Sequence, residues 1–105
     1  MASIGNLLIK DADAELDYGL DWSDWLEAGE TIAESAWEVP DGLTTVLGAN
    51  DQPAQGVING GTTTVIWLAG GEPGQLYTVT NRITTNLDPL ARTDDRSIVI
   101  QITQR

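Results

Sequence analysis

The chain has 105 residues, with 16 acids against 5 basic residues, no cysteine and no histidine, and a net charge of −11. That length suits one domain, residues 1–105, built around a single core. The missing cysteines and histidines exclude thiolate metal sites, Ser–His and Cys–His nucleophile arrangements and the commonest zinc ligand.

The charge is uneven. Residues 1–51 hold 12 acids and only Lys10, whereas residues 52–105 hold 4 acids and 4 arginines. Nucleic acid is therefore not an expected partner, because it needs cations at its phosphates. The acidic half reads either as a solvated surface or as a face that steers toward a basic partner. The start MASIGNLLIK has neither the basic opening nor the long apolar centre of a signal peptide. No apolar run reaches the roughly 20 residues of a membrane helix. A soluble chain made in the cytoplasm, with no membrane partner, is expected.

Asn6–Lys10 predicts a first short strand, so residues 1–10 form either that strand or an extended arm. Glu15–Trp22 alternates Leu16, Tyr18, Leu20 and Trp22 against acids and Gly19, the pattern of a half-buried strand. Ser23–Leu26 breaks the alternation and suits one helical turn started by Ser23 or Asp24. Thr31–Val39 resumes as a strand, with a phase slip at Ala33–Glu34 that predicts a bulge. Pro40-Asp41-Gly42 is a turn. Thr44–Leu47 is a short strand and Gly48–Gln55 a polar loop. Gly56–Ile58 is expected to pair with Thr63–Trp67 across Asn59-Gly60-Gly61.

Thr62–Leu68, Leu76–Thr85 and Ser97–Ile102 are the clearest strands. For Tyr77, Val79 and Ile83 to share a face with Ile98, Ile100 and Ile102, paired residue numbers must sum to an odd value. A sum of 177 sets Val79 opposite Ile98 and Arg82 opposite Asp95. An even sum of 178 sets Arg82 against Arg96. A sum of 179 would move Arg82 opposite Ser97; the preferred register is 177.

About seven short strands at this spacing predict an all-β chain, an immunoglobulin-like antiparallel β-sandwich. Trp22, Trp37, Trp67, Tyr77, Val79, Ile98 and Ile100 are its expected structural residues. Tyr77, just after the Gly-rich corner, is placed to close that corner through its hydroxyl.

Sites for chemistry are scarce. Asp11-x-Asp13-x-Glu15 opens like a calcium loop but has Leu16 and Trp22 where glycine and glutamate are required. Gly70-Gly71-Glu72-Pro73-Gly74 lacks the Lys-Ser/Thr of a phosphate loop and reads as a turn. No catalytic residue, metal or cofactor is expected. One of Trp22 and Trp25 belongs to the core; the other, beside Asp24, suits a contact anchor. Arg82, Arg92 and Arg96 read as intramolecular partners of nearby acids or as interface cations.

Four segments carry a resemblance: Asp21-Trp22-Ser23 with Trp25-Leu26; Trp37 with Val39-Pro40-Asp41-Gly42-Leu43; Trp67-Leu68-Ala69-Gly70-Gly71; and Tyr77-Thr78-Val79-Thr80-Asn81-Arg82-Ile83 ahead of Asp94-Asp95-Arg96-Ser97. Over roughly residues 7–102 the chain resembles small bacteriophage virion proteins of the fibre–tail adaptor type. The resemblance implies a non-enzymatic structural protein in the tail region of the virion, assembled in the host cytoplasm. It would join fibre to tail or connector through contacts with other virion proteins, as homo-oligomeric or ring-arranged copies. Asp24, Trp25, Glu27, Asn50, Asp51, Leu87, Asp88 and Arg92 are the candidate interface residues. The alternative is a virion decoration or carbohydrate-contacting module resting on Trp22 and Trp25 as an aromatic platform.

Overall fold

The period-two runs become strands whose apolar phase points inward. A computed structural model describes residues 7–88 and 90–103. Its strands are β1 (Leu7–Asp11), β2 (Leu16–Asp21), β3 (Ile32–Glu38), β4 (Leu43–Thr45), β5 (Gln55–Ile58), β6 (Thr63–Gly70), β7 (Leu76–Thr85) and β8 (Thr93–Thr103). One sheet has the order β1-β8-β7-β3 and the other β2-β6-β4, with β5 also on β6. Between the sheets lie Tyr18, Leu20, Trp22, Ile66 and Leu68 from one side and Val79, Ile83, Ile98, Ile100 and Ile102 from the other, with Ile32 and Leu43. The chain is an all-β two-sheet sandwich. Of residues 1–10, expected as a first strand or an extended arm, residues 7–10 lie in β1, and residues 1–6 lie outside the described residues.

The β7–β8 register is the odd one, with Val79 opposite Ile98 and Arg82 opposite Asp95. The Arg82 guanidinium grips Asp95 with two hydrogen bonds, 2.8 and 3.1 Å. The bulge in β3 falls between Ile32 and Glu34. It restores Ser35 and Trp37 to the inward phase.

Two pairings depart from expectation. β1 runs parallel to β8: it lies in the opposite sheet from β2, so the chain crosses the sandwich between them. The expected pairing of Gly56–Ile58 with β6 forms, starting one residue earlier at Gln55; the departure is that the strand expected over Thr44–Leu47 runs Leu43–Thr45 and shares the same edge of β6. β4 pairs with Leu68–Gly70, and β5 pairs with Thr63–Ile66. Between them the chain leaves the ladder at the level of Trp67. Trp67 N–H donates to Ala54 O (3.0 Å), Val46 N–H to Trp67 O (3.0 Å) and Ala54 N–H to Val46 O (2.8 Å), closing the neck of the excursion.

The Tyr77 hydroxyl accepts a hydrogen bond from the Glu72 N–H at 3.1 Å and so closes the corner into β7. Its ring lies against Gly42, which has φ +103°; a Cβ there would stand 2.7 Å from Tyr77 Cε1. At the same end Lys10 is buried, its Nζ donating to Gly70 O (2.6 Å) and Asp11 O (2.9 Å). This ties β1 of one sheet to β6 of the other. Burial pushes the Lys10 amine below the usual lysine range, against the pull of Asp11, Asp13 and Glu15.

Candidate protein-contact site at one end of the sandwich

The segments 22–31, 59–62, 86–88 and 90–92 meet at the end opposite Tyr77. Backbone bonds hold them: Trp22 N–H to Thr62 O, Ile32 N–H to Gly61 O (both 2.9 Å) and Asn86 N–H to Thr31 O (3.0 Å). Asn86 returns a bond, its Oδ1 accepting the Thr31 N–H at 2.8 Å.

Trp22 roots this end in the core. Its buried indole N–H points to Asn81 Oδ1 (3.1 Å) and Thr64 Oγ1 (3.3 Å). Thr64 donates to the same Asn81 oxygen at 2.7 Å. The Asn81 amide nitrogen donates to Ser35 Oγ (2.9 Å) and Ala36 O (3.0 Å). One buried amide therefore joins β7 and β3 to both Trp22 and β6, and each of its polar atoms is satisfied.

A single turn follows. Trp25 N–H and Leu26 N–H both donate to Trp22 O, at 2.9 and 3.1 Å. The oxygen that starts the turn comes from Asp21, whose Oδ1 accepts the Ser23 N–H at 2.9 Å. Neither Ser23 nor Asp24 supplies it, because Asp21, as the last residue of β2, already faces the first free N–H of the turn. That bond also holds the Asp21 carboxyl below its ordinary range.

Trp25 packs edge-on against Trp22, with centroids 5.6 Å apart and planes at 69°. Arg92 lies over the Trp25 ring at 4.0 Å and Arg96 over the Trp22 ring at 4.4 Å. Arg92 is itself fixed. Its Nε donates to Glu30 Oε2 (2.9 Å), and its Nη2 donates to Glu30 Oε1 and to Trp25 O (3.1 Å). Glu30 is a buried carboxylate at the end of the 22–31 loop and also accepts the Glu27 N–H at 2.8 Å. The Arg92 hydrogen bonds hold its pKa down from 4.5 to about 2. The pair clasps the 22–31 loop to the 86–92 loop.

The structure brings Asp24, Trp25, Glu27, Leu87, Asp88 and Arg92 together at this end. Asp24, Glu27 and Asp88 are exposed; Trp25, Leu87 and Arg92 are half-buried. Asn50 and Asp51 are exposed but stand apart, on the excursion between β4 and β5. The Trp22/Trp25 platform does not form, since Trp22 is fully buried and Arg92 covers a face of Trp25. Of the expected structural residues, Trp22, Val79, Ile98 and Ile100 are buried, and Trp37 and Tyr77 pack half-buried against them. Trp67 is the correction. It is 41% exposed because it shares phase with Val65 and Ala69 on the outer face, opposite to Thr64, Ile66 and Leu68.

Asn81, Glu30 and Lys10 escaped the sequence reading. Asn81 had a signal, since it stands in the buried phase between Val79 and Ile83. Glu30 and Lys10 had none. Their burial depends on contacts 62 and 60 residues away.

A two-sheet unit whose buried polar groups brace its own loops has the build of a structural module. Residues 10–101 match the family Gp77, podophage GP4 fiber-tail adaptor protein gp77, and the chain belongs to that family. It is thereby a phage structural protein of the fibre–tail adaptor kind. No curated protein and no solved structure matches it significantly.

Proposed function

We propose that the chain is a non-enzymatic subunit of the tail region that joins fibre to tail or connector by repeated protein–protein contacts. The single observation behind this reading is the braced loop end. Glu30 and Arg92 fix two loops to each other, so Asp24, Glu27 and Asp88 project from a stiff support. Pre-ordered loops lose little entropy on docking, and copies arranged around a ring make weak contacts additive. The strand order supports an immunoglobulin-like reading of the fold: β2-β6-β4 faces β3-β7-β8, with the first strand moved across to β8. We place the protein in the virion, assembled in the host cytoplasm as homo-oligomeric copies.

The test is an amber allele of the gene. Particles made without the protein should carry tails that lack fibres in negative stain, and plasmid-borne protein should restore them. Fibre-bearing, infectious particles without the protein would overturn the reading.

A further inference from the structure

The outer face of the β2-β6-β5 sheet is not the polar surface that alternation ordinarily gives a solvent-facing sheet. Trp67 is 41% and Ile58 48% exposed, and together with Val65, Ala54, Gly56, Gln55 and Asp17 they line a groove of about 390 Å³. Val65 forms its floor. The residues paired with Val65 on either side are glycines, Gly19 on β2 and Gly56 on β5. A Cβ on Gly56 would meet nothing within 4 Å. Glycines in strand interiors weaken a sheet and mark places where another backbone comes close. Here they leave a trough, walled by Trp67 toward one end and Ile58 toward the other.

One rim of the trough is acidic. Asp17 is paired directly with Trp67, and Asp21 lies four residues on, past the groove's lining, opposite Thr63 and on the same face, with its Oδ1 accepting the Ser23 N–H and the Arg96 charge nearby. At about 3.4 Å per residue their backbone positions are about 14 Å apart along β2, with Gly19 between them. Among the described residues no cation or hydrogen-bond donor engages the Asp17 side chain, and the ion pairs formed are Arg82–Asp95 and Arg92–Glu30. A second copy laid on this face would set two acidic rims of a −11 chain against each other.

We propose that this trough docks an extended segment of another virion protein that carries basic residues about four positions apart with an apolar residue between them. The apolar side chain sits on Val65 between the two glycines. One basic side chain reaches Asp17 with its stem across the Trp67 ring, and the other reaches Asp21. The inference rests on the adaptor reading and names a second contact surface, separate from the loop end.

A photo-reactive benzophenone residue placed at position 58, in particles assembled by the complemented amber phage, tests it. The expected cross-linked peptide comes from a different virion protein and contains Lys or Arg. A cross-link to a second copy or to a glycan, or none at all, overturns the proposal. Trp67→Thr and Asp17→Lys should each lower incorporation into particles at least tenfold. Thr78→Lys, on the outer face of the other sheet, should not lower it, and circular dichroism should show all three folded. If wild-type protein is absent from particles, the adaptor reading fails and this inference with it. If wild type is present and both trough variants incorporate equally well, the trough alone is wrong.

Discussion

Asn81 Oδ1 accepts hydrogen bonds from both Thr64 Oγ1 and Trp22 Nε1, so one side-chain oxygen in β7 holds the opposite sheet. Asn81→Ala leaves the buried Thr64 hydroxyl without its acceptor and the buried Trp22 indole N–H with only its longer bond to Thr64 Oγ1. It should cost about 2–4 kcal/mol in urea unfolding. Thr64→Val leaves the indole bonded to Asn81 and should cost only about 1 kcal/mol. Equal losses from the two variants would show that the network is not centred on Asn81.

Glu30 supplies an acid-sensitive brace. Its folded pKa, about 2, lies below its ordinary 4.5. The unfolded chain therefore takes up the proton first, and stability falls as pH drops from about 4.5 toward 2. Above 4.5 the contribution is complete. Urea midpoints of Glu30→Gln should be lower than wild type at neutral pH and should flatten across this window. Parallel curves would exclude Glu30 as the titrating group.

The Tyr18 hydroxyl is buried with no hydrogen-bond partner among the described residues. Tyr18→Phe should therefore stabilise the chain by about 1 kcal/mol. Burial, aided by Asp17, also raises the folded Tyr18 pKa above 10.0. Wild-type stability is then whole below pH 10.0 and lost as pH climbs through the raised value. The phenylalanine variant should lack that alkaline contribution, as thermal melts between pH 9 and 11 would show.

At the Tyr77 corner the two partners should respond differently. Tyr77→Phe loses the bond from the Glu72 N–H and should cost about 1 kcal/mol. Gly42→Ala must adopt φ +103° and press a methyl into the Tyr77 ring, for about 2–5 kcal/mol. Chemical denaturation of both separates the hydrogen bond from the close packing. A harmless Gly42→Ala would mean that the ring can move aside.

Asp24→Lys combined with Glu27→Lys tests the loop end. Both residues are exposed, so folding should be unchanged. Incorporation into particles should fall, and the loss should depend on ionic strength in the assembly reaction. Unchanged incorporation at low salt would remove the acidic contact.

Much of the fold was legible because alternation encodes burial directly. Tyr18, Leu20 and Trp22, or Ile98, Ile100 and Ile102, reveal their phase without help from distant residues. The 177 register followed because Arg82 had one favourable partner at that offset. Trp67 misled by identity: tryptophan suggests core, but its phase with Val65 and Ala69 faces outward. Glu30 lies in a turn, where no period applies, and its partner Arg92 comes from another loop. Of the candidate contact residues, the sequence separated neither Asn50 and Asp51 from the loop end nor Trp25 from the arginine that covers it.

The neck formed by Val46, Ala54 and Trp67 makes the segment from Leu47 to Pro53 a module of free length. Its base is closed by its own hydrogen bonds, and β4 and β5 keep their places on β6 whatever lies between them. Residues inserted beyond the inner pairs Leu47–Pro53 and Gly48–Gln52 should leave the strand registers where they are, which strand-by-strand amide exchange would check. The segment is therefore the place where an epitope tag should be accommodated without disturbing the core between the two sheets.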